Sequence, residues 1–219
     1  MAPVVRPGTR RSRSGTARTK LARSFYARDA LAVARDLLGL YLVHQDGRQR
    51  RIGRIVETVA YRGPRDLAAH SARGRRTART EVMFGAPGHA YVYLIYGFWN
   101  CLNVVTATVG VPHAVLLRAL EPVANLKHGT WGPGLLSRAM GIDRSLNGAD
   151  LCAERLWIER PRGERRAVRI GRSTRIGVEY SGEWAHRPWR FFDRDSAYVS
   201  TLSAAIRRRA GILERPWTA

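Results

Sequence analysis

Several residue types and patterns are scarce in this chain. Only two of its 38 basic residues, Lys20 and Lys127, are lysines; the rest are arginines. There are only two cysteines, Cys101 and Cys152, far apart in sequence. That excludes a disulfide framework and leaves no CxxC or Cys/His cluster for structural zinc, and it fits a reducing compartment. No stretch approaches the ~18 uninterrupted apolar residues that a membrane-spanning helix needs. The chain contains no GxxxxGK[ST], no GxGxxG after a strand, no HExxH and no GxSxG. Nucleotide hydrolysis, dinucleotide chemistry and zinc catalysis therefore have no support. Histidines stand at 44, 70, 89, 113, 128 and 186, none with metal-ligand spacing. Acidic residues are also few, and no repeat recurs along the chain.

Against these absences stands charge. The 219 residues carry 38 Lys and Arg against 17 Asp and Glu, a net charge of +21. Such a balance calls for an anionic partner: nucleic acid, an anionic membrane surface or an acidic protein. Arginine's planar fork matches phosphate, which favours nucleic acid; arginine-rich coding is the bland alternative. The length suits one domain, or one domain and a tail. Residues 1–23 hold Arg6, Arg10, Arg11, Arg13, Arg18, Lys20 and Arg23 with no acidic residue. They are expected to form a disordered basic tail, with the folded domain at 24–219. The tail lacks the apolar core of a secretory signal. An arm on DNA and an acid-poor transit peptide both fit its composition.

Within 24–219, Asp29 precedes a helical pattern on Leu31, Val33, Ala34, Leu37 and Leu38, stopped by Gly39. Residues 39–44 and 52–61 read as strands about a turn at Asp46-Gly47. Residues 62–79 read as loop. Apolar runs at 90–96, 101–109 and 114–120 suggest a small antiparallel or mixed sheet. Pro133 opens a short helix over 133–141. Residues 155–159, 166–171, 175–179 and 189–192 read as short strands, and 198–208 as a strand end and final helix.

Three constellations carry chemistry. Ile55-Val56-Glu57-Thr58-Val59-Ala60-Tyr61 leads into a loop bearing Asp66 and His70. A carboxylate, a tyrosine and a histidine at a strand end suit a pocket for a planar group, or equally a buried tyrosine and a capping histidine. Ala90-Tyr91-Val92-Tyr93-Leu94-Ile95-Tyr96-Gly97 alternates Tyr91, Tyr93 and Ile95 against Val92, Leu94 and Tyr96. Tyr96 falls at a turn tip, where an aromatic can wedge between bases or cap the core edge. In Leu116-Leu117-Arg118-Ala119-Leu120-Glu121-Pro122, Arg118 interrupts an apolar strand and needs an anion: Glu57, Glu121 or a phosphate.

These strings, with Gly182-Glu183-Trp184-Ala185 and Pro188, are similar to segments of the alkyladenine (3-methyladenine) DNA glycosylases of the human type, over about residues 27–204. The resemblance implies an α+β fold: one compact domain with a curved, mainly antiparallel sheet and a protruding β-hairpin. It implies cofactor-free, metal-free base excision, in which a damaged purine is rotated out of the duplex into a pocket and water displaces it. Carried over by motif, Tyr96 fills the gap in the duplex. Tyr61, His70 and Tyr93 wall the flipped base, and Asn103 opposes guanine's exocyclic amine. Arg118 holds the water or a phosphate, and the Ile176 carbonyl binds the water. The implied partner is double-stranded DNA containing alkylated purines, met by a monomer in the cytoplasm, at the nucleoid if the source is bacterial.

One departure outweighs these matches. The family's Glu-Thr-Glu-Ala-Tyr motif reads Glu57-Thr58-Val59-Ala60-Tyr61 here, so Val59 stands where the resemblance puts the general base. Loss of general-base catalysis typically costs ~10²–10⁴-fold. Glu57 lies on the same strand face, but ~6.6 Å away along the strand. Its alternatives are to serve as a substitute base or to pair with an arginine such as Arg118. Leu135 likewise stands where lysine is usual. Two readings remain open: a glycosylase for cationic alkylpurines, whose glycosidic bonds need less assistance, and a weak or inactive lesion binder.

Overall fold

The computed structural model describes residues 20–127, 129–161 and 166–200. Asp29 caps the first pronounced helix as its sequence predicts: its side chain accepts from Leu31 N at 2.9 Å. In chain order the elements are α1 (Arg23–Tyr26), α2 (Ala30–Asp36), β1 (Tyr41–Asp46), β2 (Gln49–Tyr61), β3 (Ala90–Ile95), β4 (Trp99–Thr106), β5 (His113–Ala124), α3 (Pro133–Met140), β6 (Leu156–Glu159), β7 (Ile170–Ser173) and β8 (Arg190–Asp193). Short 3-10 turns fill much of the loop between β2 and β3. None of the described helices is long and apolar enough to cross a membrane.

The strands form one curled antiparallel sheet, ordered β3-β4-β5-β2-β1-β6, with β8 on β2 and β7 on β8. Strand β2 is its spine. β5 runs along one side of it, from Ile52 opposite Ala124 to Tyr61 opposite Ala114. On the other side β1 covers the first half, and β8 covers Glu57, Thr58 and Val59. The β2–β5 register slips on both sides of Glu57, so Val56 and Arg118 sit at irregularities in the ladder. Such bulges re-aim side chains and cluster beside active sites. The main core packs α2 and α3 on the sheet through Val33, Leu37, Leu42, Ile55, Leu117, Leu136 and Met140, all fully buried. Buried polar atoms lock this layer: Thr58 Oγ1 donates to Ala34 O at 2.8 Å, and His44 Nδ1 pairs with Met140 O at 2.8 Å. At the start of α3, Gly134 lies against Trp99; a Cβ there would come within 2.7 Å of the indole.

The α+β class and antiparallel sheet stand as the sequence indicates. Four local expectations need correction. Lys20, Leu21 and Arg23, read as the end of the tail, belong to the folded body. Lys20 pairs with Glu154, buried Leu21 donates to Ile158 O at 2.9 Å, and Arg23 bonds Asp150 at 2.6 Å. Residues 175–179 form no strand, because Arg175 turns inward to an acid and Gly177 adopts φ 75°. Strand β7 begins only at Ile170. Residues 198–200 are not a strand, and the remainder of 198–208 lies outside the described residues, as does 1–19. Both cysteines are free.

Candidate active site

The two-residue period of β3 sends Tyr91, Tyr93 and Ile95 toward a cleft, while Val92 joins the main core. Tyr61 reaches the same cleft from the end of β2, His70 from the loop, and Asn103 from β4. Together with Met83, Val178 and Tyr180 they enclose a cavity of about 340 Å³. A second lobe of about 420 Å³ shares Tyr61, Tyr93, Ile95, Tyr96 and Gly177 with the first. It adds Cys101, Leu116, Arg118, Leu135 and Ile176. Volumes in this range suit a small planar ligand with a few fixed polar contacts. Every pocket residue expected from sequence therefore lines one continuous cleft, except Val59 and Glu57.

The first lobe is an aromatic box. His70 meets Tyr93 edge-on with centroids 4.6 Å apart, and Tyr91 lies 5.4 Å from Tyr93. His70 Nδ1 is 2.8 Å from Tyr91 Oη. Arg79 Nη2 lies 3.1 Å from His70 Nε2. The same Arg79 nitrogen lies 3.4 Å from His70 Nδ1, so the guanidinium sits across both ring nitrogens of the imidazole. Burial, then the Arg79 and Arg75 guanidinium groups, push the imidazole down to about 4. Burial pushes the Tyr61 phenol up to about 12, partly offset by Arg175, and raises Tyr91 and Tyr93 as well. At neutral pH His70 and the tyrosines of the box are themselves uncharged and present π faces of the kind that attract cations, and guanidinium groups already rest on two of them, Arg79 over Tyr93 at 4.9 Å and Arg175 over Tyr61. Asn103 is buried and anchored by its amide donating to Tyr91 O at 3.2 Å.

Val59 is buried under the second lobe, packed with Cys101 and Leu116 and ringed by Tyr61, Tyr93 and Ile95. Burial raises the Cys101 thiol, so it offers no thiolate there. Glu57 is fully buried and does not line the cleft. Its carboxylate takes Arg190 Nη1 at 2.7 Å, Ser200 N at 2.7 Å and Ser200 Oγ at 2.9 Å. Arg118 Nε stands 3.3 Å from the same carboxylate, while the Arg118 side chain also lines the lobe. Of the partners expected for Arg118, the structure supplies the buried acid Glu57, and the side chain also borders the cleft.

Two devices hold the walls. Asp66 and Arg175, both side chains fully buried, form a fork with contacts of 2.6 and 2.9 Å. Arg175 also donates to Trp184 O at 2.8 Å and lies 5.2 Å over the Tyr61 ring. The pair fastens the 62–80 loop to the segment carrying Ile176, with Tyr61 between them. The second device is the β3–β4 hairpin. Tyr96 and Gly97 both have positive φ, 54° and 78°. That backbone suits glycine or asparagine, and a tyrosine held there carries strain. Its ring is 79% exposed beside both lobes. Tyr180, Met83, Arg79 and the Asp66–Arg175 pair were not singled out from the sequence. The scarcity of acids offered the one available signal, since a loop aspartate in so basic a chain must find an arginine. Among the described residues no group of His, Cys, Asp or Glu could hold a metal ion.

Comparison with known proteins gives one consistent result. A family model described as methylpurine-DNA glycosylase matches residues 24–197. A Legionella pneumophila (strain Lens) protein named "Putative 3-methyladenine DNA glycosylase" is 54% identical over 181 residues, covering 83% of this chain and 98% of the relative. Proteins of the same name from Anaeromyxobacter dehalogenans (strain 2CP-C) and Myxococcus xanthus (strain DK1622) are 56% and 54% identical. They are covered over 86% and 97% of their lengths, by 83% and 86% of this chain.

Proposed function

This chain belongs to the methylpurine-DNA glycosylase family, and from that premise we propose that it excises cationic N3- or N7-alkylated purines from duplex DNA without a carboxylate general base. The observation that carries the reading is the pair of positions on β2. Val59 carries only methyl groups and is packed behind the cleft wall, and Glu57 is enclosed by Arg190, Arg118 and Ser200. With its oxygens engaged by Arg190, Arg118 and Ser200, and lining neither lobe, the Glu57 carboxylate has no contact with a water in the cleft. Glu57 then acts as the anchor that fixes Arg118 and β8, not as a replacement base.

The chemistry compatible with this wall is leaving-group driven. The alkylated base is rotated into the box, with Tyr96 in the gap it leaves. Tyr61, His70 and Tyr93 hold the cationic ring between π faces. The bond from sugar C1′ to the purine nitrogen breaks, and its electron pair moves onto the ring, cancelling the positive charge. Water beside Arg118 and Ile176 adds to the sugar cation and loses its proton to solvent. A neutral base such as hypoxanthine departs as an anion and gains nothing from this route. It needs the activated water and protonation that Val59 cannot help supply.

The test is single-turnover excision by the native protein from duplexes carrying 3-methyladenine, 7-methylguanine or hypoxanthine. Excision confined to the first two supports the proposal. Equal, robust release of all three overturns it. Tight lesion binding without any release favours the second reading, a lesion binder whose Val59 wall has lost catalysis.

A further inference from the structure

Beside the base pocket lies a groove of about 400 Å³ that shares His70 and Tyr180 with it. Arg73, Arg75 and Arg79 line this groove, with Thr77 and Thr80. Arg76, between them in sequence, is spent on Glu81 at 2.6 and 2.8 Å. Arg73 and Arg75 are exposed and have no anionic partner among the described residues. Arg73 holds φ 57°, a left-handed backbone that costs a residue with a side chain. Three guanidinium groups gathered in one concave surface match a phosphodiester oxygen set.

Arg79 ties this groove to the pocket. Its guanidinium carbon lies 4.9 Å from the centre of the Tyr93 ring, and its Nη2 lies 3.1 Å from His70 Nε2 and 3.4 Å from His70 Nδ1. In the protein without DNA, a cation thus already rests on Tyr93, an aromatic wall of the pocket, and covers the ring nitrogens of His70. A cationic purine and Arg79 repel one another at this wall.

We infer that Arg73, Arg75 and Arg79 form a phosphate site at the pocket mouth, and that a DNA phosphate seated there draws Arg79 off His70 and Tyr93 as the purine enters. Arg79 is a positioning residue: it acts through His70 and Tyr93 and withdraws from the wall the base uses. The substrate half of this inference rests on the excision of cationic purines proposed above; the phosphate site and its link to His70 do not.

The consequence is a phosphate-sensitive titration of His70. The groups facing its imidazole are Tyr91 and Tyr93 from β3, Arg75 and Arg79 from the loop, and Tyr180 across the shared groove. Arg75 and Arg79 oppose protonation, so an anion between them eases it. The experiment is NMR titration of the His70 ring in the full chain, assigned with His70→Gln, in chloride or in inorganic phosphate at equal ionic strength. Phosphate is expected to raise the midpoint from about 4. Arg79→Gln raises it without phosphate and abolishes the phosphate response, while Arg73→Ala/Arg75→Ala blunts the response alone. Arg73, Arg75 and Arg79 are exposed, so these arginine variants retain the fold. Equal midpoints in chloride and phosphate, or an unmoved midpoint in Arg79→Gln, overturn the inference whether or not the protein excises any base.

A second arm identifies the source of the phosphate. A neutral methylphosphonate is placed at each linkage flanking a 7-methylguanine in turn. At one linkage it is expected to weaken wild-type binding about tenfold, the scale of one lost charge-assisted hydrogen bond. The Arg73→Ala/Arg75→Ala/Arg79→Gln variant is expected to be indifferent at that linkage. Equal losses in wild type and variant at every linkage overturn the assignment to a DNA phosphate.

Discussion

Val59→Glu is the perturbation with the largest expected consequence. Position 59 is 1% exposed and packed with Cys101 and Leu116, and the residues around it, Tyr61, Tyr93 and Ile95, also line the second lobe. A longer side chain leaving β2 here emerges into that lobe, where Arg118 is the nearest lining cation. Burial opposes ionisation of the new carboxyl and Arg118 favours it. If the carboxylate activates water, release of hypoxanthine rises by ~10²–10⁴-fold, roughly 3–5 kcal/mol of barrier. Cationic purines, already good leaving groups, gain much less. Stability falls by about 2–3 kcal/mol, because a polar group replaces methyl groups in a packed wall. In a domain of this size that lowers Tm by roughly 4–12 °C. Val59→Gln carries the same packing cost without a base and is the control. The assay is single-turnover release of hypoxanthine under excess enzyme, with Tm measured in parallel. A folded Val59→Glu no faster than Val59→Gln refutes the placement of the reacting water at this wall.

Other perturbations follow from the same geometry. Glu57→Gln leaves Arg190 and Arg118 facing each other without their buried anion and is expected to cost about 3–5 kcal/mol in chemical denaturation; a loss below 1 kcal/mol shows that the network is not structural. His70 stays neutral in the fold down to about pH 4, whereas in the unfolded chain it titrates near ~6.5. The unfolded chain therefore binds more protons between these values, and stability falls as pH drops through that window, by no more than about 3 kcal/mol. His70→Gln should flatten this dependence. Tyr96→Asn relieves the positive-φ strain, so it should raise stability by up to about 1 kcal/mol while impairing lesion capture more than affinity for undamaged duplex. Equal loss of both affinities excludes Tyr96 as the wedge. Deleting residues 2–19 should flatten the salt dependence of duplex binding without altering lesion preference; an unchanged slope shows that those residues do not contact DNA.

The sheet was legible because its signals are local. Alternation on 90–95, the Asp46-Gly47 turn and the Asp29 cap each act over a few residues. The pocket walls were legible from a resemblance carried by contiguous strings. What escaped are the long-range pairs: Asp66 with Arg175, and Glu57 with Arg190, joined only when distant segments meet. Alternation placed Glu57 and Val59 on one face of β2, yet their surroundings differ completely. The ladder irregularities around Glu57 and the arrival of β8 enclose one in cations, while the other packs among apolar side chains. The 175–179 segment misled because its β-branched residues read as a strand, whereas a buried ion pair and Gly177 fix its path. Arg79 gave no sign at all, being one arginine among 36 until the fold laid it on Tyr93.

A cleft without a carboxylate base should still release bases that carry their own positive charge. Single-turnover release by the native protein, compared between 7-methylguanine and hypoxanthine in the same duplex sequence, tests it most directly. Measurable release of 7-methylguanine is expected, with release of hypoxanthine at least ~10²-fold slower, the low end of what a general base contributes. Comparable rates on both lesions contradict it.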